Sequence, residues 1–210
     1  MLTVAARNGR PCHRLACILS FAGLLACAST GPGSPAADRA AALAAFAGSW
    51  EFDESATAQA ANVRGVRPQD HIQQRASDLG MEMMREQGAG ADAVSGTPAG
   101  LRQTMLMVGI TPERLAFQPG GGELAVDFDA EGPIALPLDG GWSEASAPQG
   151  PVEARLRWRD DGFAIERRIP GGGTIRDACY ILASGHLLVT REIVWRRARP
   201  VGLIVYRKSS

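Results

Sequence analysis

The stretch VEARLRWRDDGFAIERRI, residues 152–169, decides how the chain folds. Apolar and charged residues alternate on both sides of Asp160-Asp161. Val152, Leu156 and Trp158 share one face before the turn, and Phe163, Ile165 and Ile169 share one after it. A period of two describes strands buried on a single face. Asp-Asp-Gly is a turn short enough to join antiparallel neighbours. The spacing sets Trp158 opposite Phe163, Leu156 opposite Ile165 and Val152 opposite Ile169, one apolar face in register.

Working outward, the same alternation recurs at 101–108, 113–118, 123–128, 134–138, 174–183, 187–195 and 201–207. Glycine-rich turns at 119–122, 139–141, 171–173 and 184–185 separate most of these strands. Connections this short hold antiparallel pairs and exclude parallel crossovers. Residues 47–53, with Trp50 and Phe52 on one face, read as a first strand. The fold class is therefore mainly β: an antiparallel up-and-down meander that closes into a barrel or curls into a half-barrel. One helix is inserted after the first strand, over 68–87. Pro68 suits a first helical turn and Asp70 the positive end of the dipole. Ile72, Ala76, Leu79 and Met83 form one apolar stripe.

Register matters because a slip of one residue inverts every side chain. A two-residue loop at Ser184-Gly185 sets Leu182 opposite Leu187, Tyr180 opposite Val189 and Ala178 opposite Arg191. The 171–173 turn closes in two ways. One places Tyr180 and Leu182 on the Trp158/Phe163 face and gathers Arg167, Arg176 and Arg191 there. The other turns Cys179 and Ile181 inward and sets Arg167 opposite Asp177. The first register yields a candidate ligand site of Trp158, Phe163, Tyr180 and Trp195 with the three arginines. Such a site would suit an amphiphile with an anionic head.

The N-terminus is read separately. Arg7, Arg10 and Arg14 precede an apolar run of about a dozen residues, too short to span a bilayer of roughly 20 apolar residues. The run ends in Leu24-Leu25-Ala26-Cys27, the pattern of a bacterial lipobox, so residues 1–26 are expected to be a signal peptide and Cys27 the lipidated residue. Several acyl chains anchor far more firmly than one. Ala26-Cys27-Ala28 also fits an ordinary signal-peptidase site, which would give a soluble periplasmic protein. Residues 27–45 are Pro/Gly-rich and then Ala-rich, the composition of a flexible tether. Ala28 is not Asp, which favours the outer membrane, facing the periplasm, over retention at the inner one. Residues 46–210 then form a single β-rich domain.

The whole chain has 22 basic and 22 acidic residues. Loss of the leader arginines leaves a mild negative balance, which does not suit nucleic-acid binding. With Cys27 lipidated, Cys179 is the one thiol left, and it reads as buried packing. His71 and His186 are far apart, so no metal or other cofactor is expected. No nucleophile–base–orienter pattern stands out, and an enzyme is not expected.

Arg155-Leu-Arg-Trp158, Phe163-Ala-Ile-Glu166, Tyr180-Ile-Leu182, Leu187-Leu-Val189 and Val205-Tyr-Arg207 resemble a family of uncharacterised β-rich envelope lipoproteins of Gram-negative bacteria. Gly48-x-Trp50 looks like the first-strand motif of lipocalins. The resemblance implies an envelope location but carries no catalytic residues. A lipocalin-like barrel implies an apolar or amphiphilic small ligand, and a contact of Trp50 with a basic residue near Arg207 on the last strand. The alternative is a non-enzymatic interaction protein that docks onto envelope machinery. Protein partners are not legible.

Overall fold

The computed structural model describes residues 39, 41–86, 99–129 and 132–209. Ten antiparallel strands make one sheet. They are β1 (Gly48–Phe52), β2 (Arg114–Gly120), β3 (Glu123–Asp127), β4 (Pro133–Pro137), β5 (Ser143–Ala147), β6 (Gly150–Arg159), β7 (Gly162–Arg168), β8 (Thr174–Ile181), β9 (Leu187–Trp195) and β10 (Arg197–Lys208). Their order is β4-β3-β2-β1-β10-β9-β8-β7-β6-β5, so the first and last strands pair in mid-sheet. Trp50 lies opposite Lys208, the basic residue next to Arg207 on the last strand, and the Lys208 ammonium is 5.4 Å from the indole centroid. Arg207 points to the other face and meets Glu51. The sheet is open between β4 and β5, where the Ser143 hydroxyl donates to the Ala135 carbonyl at 2.8 Å.

Among the described residues three helices lie between β1 and β2: α1 (Glu54–Ala61), α2 (Pro68–Glu86) and α3 (Ala99–Gly109). The expected stripe on α2 holds, with Ile72, Ala76, Leu79 and Met83 all buried. Residues 101–108, expected as a strand, belong to α3. Leu101, Thr104, Met107 and Val108 are its buried side, a helical spacing that eight apolar-rich residues do not distinguish from a strand. α1 was not anticipated because only Thr57 of it is buried, so it carries no apolar stripe. Local chemistry holds it instead: Asp53 accepts from the Ala56 amide at 2.8 Å as its N-cap. Beyond Phe52, α1 takes the place of β1 along β10. There the Thr57 hydroxyl accepts from the Val205 amide at 2.8 Å.

β5 also went unread. Its sequence, SEASA, has little β-propensity, and pairing with β6 alone makes it a strand. Leu43 and Phe46 fall at or beside the end of the expected tether, yet both are buried. Phe46 packs on Phe163 at 4.7 Å between ring centroids, and its carbonyl accepts from the Trp50 indole at 2.8 Å. The inner face of the sheet is thus filled by side chains, among them Trp50, Phe117, Phe163, Leu124 and Tyr206.

Three registers are now fixed. Trp158 pairs with Phe163 and Leu156 with Ile165, as the spacing requires. At 182–186, Leu182 bonds to the His186 carbonyl at 2.8 Å, and Gly185 takes φ 81°. The loop is therefore residues 183–185, and Ile181, not Leu182, faces Leu187. A three-residue loop with glycine in the left-handed region is favoured where strands twist. At 171–173, Phe163 pairs with Cys179 and Ile165 with Asp177. Cys179 and Asp177 therefore share the inner face with Arg167, which lies opposite Ile175 and not Asp177 as expected, and the register that gathers three arginines is excluded.

Candidate ligand-binding cleft

The alternation that placed Arg167 and Arg191 with Phe163 also sends Arg176 to the opposite face. Arg167 and Arg191 are buried on either side of Asp177. Arg167 donates to Asp177 at 2.7 Å, and Arg191 grips the same carboxylate at 2.7 and 3.0 Å. Arg191 also donates to the Val108 carbonyl at 3.2 Å and to that of Ile110, at the C-terminus of α3. The Arg167 guanidinium lies 4.5 Å from the Phe128 centroid. Burial would raise the Asp177 carboxyl, but the two guanidiniums outweigh it and hold the group below its ordinary value. Burial also raises the Cys179 thiol well above its usual range and raises the Tyr206 phenol, so neither is ionised at neutral pH.

On the outer face Glu166 is the matching centre. Its carboxyl is 2% exposed and accepts from Arg155 at 2.8 Å and Arg176 at 2.7 Å. Arg176 reaches Glu192 as well. Burial works against the Glu166 charge, yet these hydrogen bonds lower its pKa.

The seven residues of the expected ligand site therefore do not converge. Phe163 is core, and Arg167 and Arg191 belong to the buried ion cluster. Arg176 and Tyr180 lie on the outer face. Trp158 sits at the open seam, where its indole donates to the Leu138 carbonyl at 3.0 Å. Trp195 is half-buried at the far end of β9.

A different place has the shape of a ligand site. A cleft of about 630 Å³ lies between α1, the first turns of α2 and strands β9 and β10. Ala61, Val63, Pro68, Ile72, Val201 and Leu203 form its apolar wall. His71, Arg75, Thr190, Arg191 and Glu192 supply the polar groups. Along its wall β10 slips register against β9 between Pro200 and Gly202, the mark of a bulge. Gly202 also admits the helix: a side chain there would come within 3.1 Å of Ile72. The one local hint is Pro200-Val-Gly202 inside a strand pattern, which marks a bulge. Which helix faces would border that bulge was not legible.

Among the described residues no helix is long and apolar enough to cross a membrane, and no group of His, Cys, Asp and Glu is arranged to hold a metal ion. No family model matches the chain, and no curated protein matches it in sequence. Among solved structures, that of apo lipid binding protein 8 from Caenorhabditis elegans is similar, with 12% identity over 79% of this chain and 96% of that one, at a TM-score of 0.43.

Proposed function

We propose that this chain is a non-enzymatic binding module of the cell envelope, which holds a small apolar or amphiphilic molecule in the cleft between α1, α2, β9 and β10. The observation that carries the reading is the cleft itself. Its volume, about 630 Å³, lies in the usual range of ligand pockets, and an apolar wall faces a few polar groups. The filled inner face of the sheet argues against a ligand there. A neutral environment-sensitive dye such as Nile red should bind saturably, with one site per chain. Leu203→Trp, which fills the cleft from a half-buried position, should abolish binding without lowering the melting temperature. Dye binding that survives this change would refute the cleft as the site.

The envelope location rests on the leader and on Cys27, which lie outside the described residues. Cys27→Ser expressed in a Gram-negative host should leave the membrane fraction. Detergent-only extraction of that variant would remove the lipid anchor from the reading.

One observation favours an interaction protein as the second reading. Met81 is 47% and Leu106 58% exposed, and they border adjoining grooves between α2 and α3. Methionine suits an adaptable contact surface. Met81→Lys with Leu106→Lys should leave dye binding intact under the first reading.

A further inference from the structure

We infer that the molecule held in the cleft is a single-chain anionic amphiphile whose head group is read by Arg75 and His71 on α2. This assignment rests on the cleft being the ligand site. Pro68, His71, Ile72 and Arg75 all line it, so α2 presents one face over its first turns. Along that face polarity changes. Pro68 follows Ala61 and Val63 closely in the chain, all three lining the cleft, and Arg75 lies two turns further on, about 10 Å along the axis. A tail laid toward Val63 places its head at Arg75.

The charged and ionisable side chains around the cleft are Arg75, His71, Arg191 and Glu192, with Glu82 just outside. Arg191 is committed to Asp177 and to the end of α3, so it stiffens the floor and is not the head-group ligand. Glu192 is engaged by Arg176 from the outer face, which offsets its charge. Arg75 is differently placed. Its side chain is 37% exposed, and its ion pair with Glu82 is long, at 3.9 Å. A pair that exposed and that long contributes little and is readily exchanged. A guanidinium free to rotate forms a bidentate pair with a carboxylate or sulfate. The His71 ring, one turn back on the same face, adds an N–H donor. A cationic head would meet Arg75 and find no uncommitted carboxylate among the lining residues.

The test is calorimetric titration of the otherwise complete Cys27→Ser chain, purified without detergent, with dodecanoate, dodecanol and dodecyltrimethylammonium. Dodecanoate should bind at least about tenfold more tightly than the other two, the scale of one charge-assisted contact. Arg75→Gln should remove that advantage and leave dodecanol affinity unchanged, while Arg75→Lys retains part of it. Equal affinity for dodecanoate and dodecanol, or an unaffected advantage in Arg75→Gln, overturns the anionic-head assignment and leaves the cleft standing. No saturable binding of any of the three, or binding that survives Leu203→Trp, removes both.

Discussion

Asp177 is the single residue on which most buried charge depends, because Arg167 and Arg191 both close on it inside the sheet. Asp177→Asn leaves two buried guanidiniums without their carboxylate and should cost about 3–5 kcal/mol, read from urea unfolding at pH 7. The acid limb has a definite sign. The folded-state pKa of Asp177 is depressed, so its contribution is complete above the unfolded value of about 3.9 and is lost as pH falls through the lower folded value. Glu166, also lowered, behaves in the same direction. The urea midpoint should therefore hold between pH 7 and 5 as far as these groups are concerned and fall below about pH 4. Asp177→Asn should show a shallower acid limb than the parent. An identical limb would mean that other carboxylates control acid unfolding. At this scale the arginines were legible as chemistry but not as partners. Arg167 and Asp177 were read together in one register, whereas Arg176 was read into a site that its alternation sends elsewhere.

At the scale of elements, two helical glycines should answer the same change with opposite signs. Helix propensity alone favours alanine over glycine by up to about 1 kcal/mol. At Gly80 of α2 an added Cβ meets the terminal atoms of Met105, the nearest at 2.6 Å, and a flexible thioether can swing aside. Gly80→Ala should leave the melting temperature unchanged or raise it. At Gly100 of α3 the Cβ would fall 2.2 Å from the Pro170 carbonyl oxygen and 2.4 Å from the Gly171 carbonyl carbon, backbone atoms of the β7–β8 turn. Gly100→Ala should destabilise by about 1–3 kcal/mol despite its better propensity. A rise in melting temperature for Gly100→Ala would show that α3 is not seated on that turn. The apolar stripe of α2 was readable because it runs long enough to separate a 3.6 period from a period of 2. α3 was not, because its run is short. α1 was not, because capping and one buried threonine hold it instead of a stripe.

At the scale of the whole described domain, the sheet joins its sequence ends in the middle and leaves its open seam at β4 and β5. Strands paired on both sides should exchange amide hydrogens only in large openings, while unpaired edges exchange locally. Amides of β1, β9 and β10 are therefore expected to be the slowest. Those of β5 that point away from β6 should exchange orders of magnitude faster. Equal protection of β5 and β9 would mean that the seam is bonded and the barrel closed. The same connectivity explains Trp50: its indole is held by the Phe46 carbonyl on one side and faces Lys208 on the paired last strand.

The amino-acid sequence by itself determined most of the period-two strands from 113 onward, β5 excepted, the hairpin of 152–169 with its register and the stripe of α2. Each depends on alternation or turn length, which neighbours in the chain enforce. Tertiary structure decided the rest. The parity at 171–173 was settled by burying Asp177 between two arginines, a gain shared by β7, β8 and β9 that no single hairpin contains. The loop at 183–185 came out one residue longer than its spacing suggested, which sets Ile181 opposite Leu187. The cleft needed α1, α2 and the bulge of β10 to meet, residues from 57 to 203, and nothing local specifies which surfaces face one another across that distance.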